Sequence, residues 1–159
     1  MTETNFQLDE KAWALLMALQ SDGRAPLKTL ALAAGLSVPA TVERLKRLKD
    51  AGVVRSVSAE VSPALAGYPV SAIVGITVQQ PGKKAFIDKL RRAPEVLECH
   101  HVAGADSYVV TVVARGLEDL EQFLSSINGY GETRTSIVFS TPIPRRGLVA
   151  PGSLRSPRS

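Results

Sequence analysis

Leu27–Val54, LKTLALAAGLSVPATVERLKRLKDAGVV, is the stretch whose reading decides the fold. Leu27 to Ala34 is rich in Ala and Leu, residues that lose little on entering a helix. Gly35-Leu36-Ser37 interrupts it. Glycine accepts the left-handed conformation that ends a helix, and a serine hydroxyl caps the next one. Pro39 falls in that second helix's first turn, where its missing N–H costs nothing. Val38, Val42, Leu45 and Leu48 recur at helical spacing and are the expected buried stripe. Pro39, Ala40, Glu43, Arg44 and Arg47 then point the opposite way. Two short helices, a glycine turn and a basic outward face have the form of a helix-turn-helix, whose second helix enters the DNA major groove. An ordinary helical hairpin with a solvated charged face fits the same pattern.

Outward from this core, Leu8-Asp9 opens an earlier helix, with Asp9 as its cap. Trp13, Leu16, Met17 and Gln20 share one face of it, widened by Ala12, Leu15 and Leu19. So broad an apolar surface meets more than one neighbour, and Trp13 belongs to the core. Asp22-Gly23 stops this helix, so a three-helix bundle ends at Asp50-Ala51-Gly52. The β-branched VVRSVSAEV that follows reads as a strand or wing. Residues 62–69, SPALAGYP, have turn chemistry and mark a linker.

The second half alternates differently. Val70 to Gln79 reads as a strand, Gly82 to Arg92 as a helix, and Val96 to Val102 as a second strand. Tyr108 to Ala114 is a third strand, Leu117 to Asn128 a second helix, and Thr133 to Thr141 a fourth strand. The order β-α-β-β-α-β is ferredoxin-like. Two helices on one face leave the other face of the sheet bare, and a second copy of the chain would cover it. The expected fold is therefore α+β. Residues 1–60 form a three-helix (winged) helix-turn-helix, 61–69 a linker, 70–141 the ferredoxin-like domain, and 142–159 a Pro/Ser/Arg-rich basic tail. Such a tail is expected to be poorly ordered unless a neighbouring subunit captures it.

Composition narrows the class. A hydrophobic fraction of 45% is that of a globular chain. No apolar run reaches transmembrane length, and MTETNFQLDE lacks the plan of a secretory signal. A single cysteine, Cys99, cannot form an internal disulfide, which fits a reducing cytosol. The net charge of +4 is unevenly placed. Residues 1–60 carry eight Lys/Arg against seven Asp/Glu, whereas 142–159 carry four arginines and no acid. The basicity of the first domain must therefore be local, and the tail is expected to add sequence-independent attraction to phosphates.

These motifs in combination resemble the Lrp/AsnC family of feast/famine regulators, over about residues 8–141. The resemblance rests on Leu19-Gln20-Ser21-Asp22-Gly23-Arg24, on Gly35-Leu36-Ser37 with Val42, Arg44, Leu45, Arg47 and Leu48, on Ala51-Gly52-Val53-Val54, and on Cys99-His100-His101-Val102-Ala103-Gly104. Ala12 and His100 depart from the usual pattern, where Asp and often Tyr stand. The acid of the family's GxxDY element comes one place early, in Gly104-Ala105-Asp106-Ser107-Tyr108. The last two departures bear on ligand identity rather than on the fold.

The resemblance implies a cytoplasmic, nucleoid-associated transcriptional regulator. It would be a homodimer assembling to an octamer, with double-stranded DNA carrying a near-palindromic operator as its partner. Ser37, Pro39, Ala40, Thr41, Glu43 and Arg44 are the expected contacts at the recognition helix. Arg44 is foremost, because a forked guanidinium matches guanine O6/N7. Glu43 can accept from a cytosine amine or pair with Arg47 one turn on. Arg24, Lys46, Arg47, Lys49 and Arg55 are phosphate candidates. The resemblance also implies a small effector, typically an amino acid, held between subunits near His100, Val102, Gly104, Ala105, Asp106, Ser107 and Tyr108. Turn N–H groups and Ser107 would take its carboxylate and Asp106 its ammonium. A plain hairpin turn uses Gly and Asp in the same way.

Other chemistry has less support. Adjacent histidines in a strand face opposite ways, so His100 and His101 do not chelate one ion. Cys99 and His100 diverge likewise and make no nucleophile–base pair. No metal or cofactor is expected, and no catalytic residue. Two alternatives remain: an enzyme on the two-domain plan of sirohaem decarboxylases, and a ligand-sensing subunit without DNA binding.

Overall fold

Asp9 accepts the Ala12 N–H at 2.8 Å and starts α1, Glu10–Ser21. A computed structural model describes residues 7–153 of the chain. It folds as two units: residues 7–59 with 144–153, and residues 60–143. In the first unit α2, Leu27–Ala34, ends on Gly35 at φ 59°, a left-handed cap that suits glycine. The Leu36 N–H then closes back on Ala31 O. Ser37 caps α3, Val38–Asp50, by accepting the Ala40 N–H. Leu15, Leu30 and Ala34 pack as one cluster, and Ala12, Leu16 and Leu48 as another, with Trp13 half-buried against the second.

Three expectations for this unit are corrected. The buried stripe of α3 is rotated from the apolar pattern. Thr41 and Leu48 are fully buried, while Val38 and Val42 are 36% and 46% exposed. Thr41 can be buried because its hydroxyl donates to Ser37 O at 2.9 Å, so no polar group is stranded. The wing does not form a strand. Residues 53–61 have no ladder partner among the described residues; instead Val53 and Val54 pack on the α1–α3 cluster and Val57 against Gly23. The tail needs no neighbouring subunit to order residues 144–153, which fold with the first unit of the same chain. Arg155 and Arg158 lie outside the described residues.

The second unit contains β1 Val70–Ile76, α4 Lys83–Leu90, β2 Val96–His101, β3 Tyr108–Ala114, α5 Leu117–Ile127 and β4 Thr133–Ile137. The sheet order is β2-β3-β1-β4, antiparallel throughout, the ferredoxin-like arrangement. Val74 pairs with Val110, and Gly75 stands between Val109 on β3 and Arg134 on β4. Phe86 and Leu90 of α4, and Leu120, Phe123 and Ile127 of α5, close over Ala72, Val74, Ile76, Val110 and Val112. Each large side chain fully withdrawn from water there contributes about 1.5–3 kcal/mol. The opposite face carries Ile73, Val109 and Thr111 and is not covered by α4 or α5. β1 and β4 are shorter than the β-branched runs that predict them. Their pairing reaches just past the strand ends, the Thr77 N–H donating to Glu132 O and the Val138 N–H to Ser71 O; farther on the prolines at 142 and 144 supply no ladder donors.

Candidate functional site

The outward face of α3 presents Pro39, Ala40, Val42, Glu43, Lys46, Arg47 and Lys49 to solvent. Ser37 is exposed at its start, with Oγ accepting the Ala40 N–H. Thr41 is not part of this face. It is 0% exposed and its hydroxyl is committed to Ser37, so it meets no base edge. Arg44 is partly exposed on α3 and already has a partner. Its Nη1 donates to Asp9 Oδ1 at 2.5 Å, joining α3 to the cap of α1. The guanidinium holds the Asp9 carboxyl below its usual range. Among the described residues Glu43 and Arg47 form no ion pair, which leaves Arg47 as an uncommitted guanidinium on α3. Arg24 and Arg55 are exposed, Arg24 in the turn after α1, where its N–H meets Asp22 Oδ1.

The loop between β2 and β3 holds most of the residues expected at an effector site. It is fixed at several points. Val102 N–H donates to Ser107 O, Ser107 N–H to Ile76 O at 3.0 Å, and Thr77 Oγ1 to Ala105 O at 3.1 Å. Asp106 accepts from Arg134 Nη2 at 2.5 Å. The Asp106 carboxylate also lies so close over Gly75 that a Cβ there would collide with it. A side chain at position 75 would therefore have to push the Asp106 carboxylate aside. At Gly104 a Cβ would meet nothing within 4 Å. The Ser107 N–H is spent within the fold, so it cannot serve a carboxylate. The N–H groups of Gly104, Ala105 and Asp106 have no partner among the described residues.

His100 and His101 diverge. His100 is exposed, 3.3 Å from Glu98. His101 stacks on Tyr108 with centroids 4.9 Å apart. Tyr108 is 7% exposed and also packs on Phe86, so its ring is core rather than an open effector contact. A cavity of about 500 Å³ between α4 and β2 is lined by Ile87, Leu97, Cys99, His101 and Tyr108, and burial raises the Cys99 thiol pKa. No cluster of three metal-ligating side chains occurs among the described residues.

Arg134, Thr77 and Gly75 were not foreseen from the sequence. Nothing near Asp106 in the chain points to them; the pairing of β1 with β4 brings Gly75 and Arg134 side by side.

A family model for the Lrp/AsnC ligand binding domain matches residues 71–148, and one for the AsnC-type helix-turn-helix domain matches residues 8–49. The HTH-type transcriptional regulator LrpA of Mycobacterium tuberculosis is 40% identical over 141 residues, covering 86% of this chain and 93% of the relative. LrpC of Bacillus subtilis is 30% identical, covering 84% and 93%. Among solved structures, a feast or famine regulatory protein of M. tuberculosis complexed with L-methionine superposes with a TM-score of 0.84 at 36% identity, over 91% of this chain and all of that one. A transcriptional regulator of Neisseria meningitidis, also an L-Met complex, gives 0.82 at 25% identity over 89% and 96%.

Proposed function

The chain belongs to the Lrp/AsnC family of DNA-binding transcriptional regulators, and from that premise we propose that α3 reads a near-palindromic operator while the Asp106–Arg134 loop senses an amino acid. Pro39, Ala40, Glu43 and Arg47 lie on the exposed face of α3 and meet base edges or phosphates, with Lys46, Lys49, Arg24 and Arg55 on phosphates. The protein works as a homodimer, with dimers associating to an octamer. The support is the sheet face bearing Ile73, Val109 and Thr111, which α4 and α5 leave bare. Its place of work is the cytoplasm, on the nucleoid.

One observation carries the effector reading. Asp106 and Arg134 place a carboxylate and a guanidinium side by side at the mouth of a loop with free N–H groups. An α-amino acid offers the complementary pair, its ammonium to Asp106 and its carboxylate to Arg134 or the loop. The L-methionine complexes of two structural neighbours support the same chemical class. The test is a thermal-shift series over the common L-amino acids. A ligand present at a hundred times its Kd stabilises the folded state by about 2.7 kcal/mol. At least one amino acid is expected to raise Tm; a flat series would remove amino acids as effectors. The enzyme alternative gains no observation: His100 and His101 lie on opposite faces of β2, one exposed beside Glu98 and the other against Tyr108.

A further inference from the structure

We infer that residues 144–153 are a fourth part of the DNA-binding unit, an arm that delivers Arg145 and Arg146 to the phosphates flanking the operator. The inference rests on the DNA-reading role of α3. The arm is clipped, not trailing. Gln20 on α1 donates from Nε2 to Leu148 O at 2.9 Å and accepts the Leu148 N–H at 2.7 Å. This reciprocal pair fixes one residue of backbone to one amide. Gly147 lies so close to Gln20 that a Cβ there would come within 3.2 Å of it, so the chain passes tightly beside the clip. Arg145 and Arg146 then rim a cleft of about 570 Å³ with Arg55, over a floor of Leu8, Trp13 and Leu16. No carboxylate lines this cleft, and neither Arg145 nor Arg146 has an ion-pair partner among the described residues.

Folding therefore redistributes the charge. The first unit, residues 7–59 with 144–153, contains ten Lys/Arg and five Asp/Glu; residues 60–143 contain seven and nine. Residues 7–59 alone hold eight Lys/Arg against five Asp/Glu, and the arm raises that excess from three to five. Three exposed arginines with no acid among them suit a polyanion with regularly spaced charge, and the unit that carries them is the one that already meets DNA.

The test uses the full chain, a duplex selected from a random pool by the wild-type protein, and a mixed-sequence duplex. Affinities are measured by fluorescence anisotropy between about 50 and 200 mM salt. Arg145→Gln/Arg146→Gln is expected to weaken both duplexes and to reduce the slope of log K on log salt by about 0.9 for each phosphate left unneutralised. Gln20→Leu keeps every charge but opens the clip. It is expected to weaken the selected duplex and to speed tryptic cleavage after Arg145 and Arg146, with Tm of the fold held. Wild-type affinity and slope in the double arginine variant would overturn the inference, as would Gln20→Leu weakening DNA while the arginine variant does not. Failure of the wild-type protein to select any duplex would instead sink the operator reading itself.

Discussion

Arg44 Nη1 lies 2.5 Å from Asp9 Oδ1, so the carboxylate that caps α1 also anchors the middle of α3. One Asp9 oxygen serves the Ala12 N–H and the guanidinium together. The angle at which the recognition helix leaves the bundle therefore depends on a residue outside it.

The first expectation follows from this bridge. Asp9→Asn keeps a cap acceptor but loses the charge that holds Arg44. The ratio of operator to mixed-sequence affinity is expected to fall, because α3 is less well placed, even though removal of an acid favours DNA generally. Arg47→Ala, by contrast, is expected to cost about 1–3 kcal/mol at the operator with the bridge intact. Anisotropy titrations of both variants check this. An unchanged ratio in Asp9→Asn would return Arg44 to the role of a base reader.

The same bridge has a pH signature. Arg44, then the Ala12 N–H, lowers the Asp9 pKa from 3.8. A depressed carboxylate stabilises the fold above its unfolded pKa, and that stability is lost as pH falls through the folded pKa. The Tm advantage of wild type over Asp9→Asn is expected to be constant near neutrality and to shrink below about pH 4. Melting curves across that range decide it; an advantage that persisted at the acid end would mean the charge is not its source.

Thr41 supplies a third expectation. Thr41→Val removes the hydroxyl bond to Ser37 O, which still accepts the Thr41 N–H at 2.9 Å. A loss of about 1 kcal/mol in stability is expected, with operator preference retained. Denaturant unfolding and a binding-site selection on the variant are the two readouts. A changed preferred sequence would place Thr41 back at the groove.

Much of this was legible in the chain. Gly35, Ser37 and Pro39 are local devices, and the boundaries of α2 and α3 followed from them. Asp9 as a cap is equally local. The strand and helix order of the second unit followed from runs of β-branched and helical patterning. What could not be read are long-range partnerships. The burial of Thr41 over Val42 depends on how α3 rolls against α1 and α2. Arg44 reads as an outward cation until Asp9, thirty-five positions earlier, is seen beside it. Arg134 is silent until β4 pairs with β1. The tail looked like loose basic chain because its clip, Gln20, lies at the other end of the sequence.

The sensor is tested most directly by calorimetric titration of the amino acid that most raises the wild-type Tm into wild type, Asp106→Ala and Arg134→Ala. Asp106 and Arg134 meet at 2.5 Å over Gly75, and the ligand is expected to replace that contact with one bond to each. Both variants should bind it at least tenfold more weakly, about 1.4 kcal/mol, while their operator affinity without ligand stays near wild type. Equal affinity in all three proteins would contradict the account and leave the loop an ordinary turn.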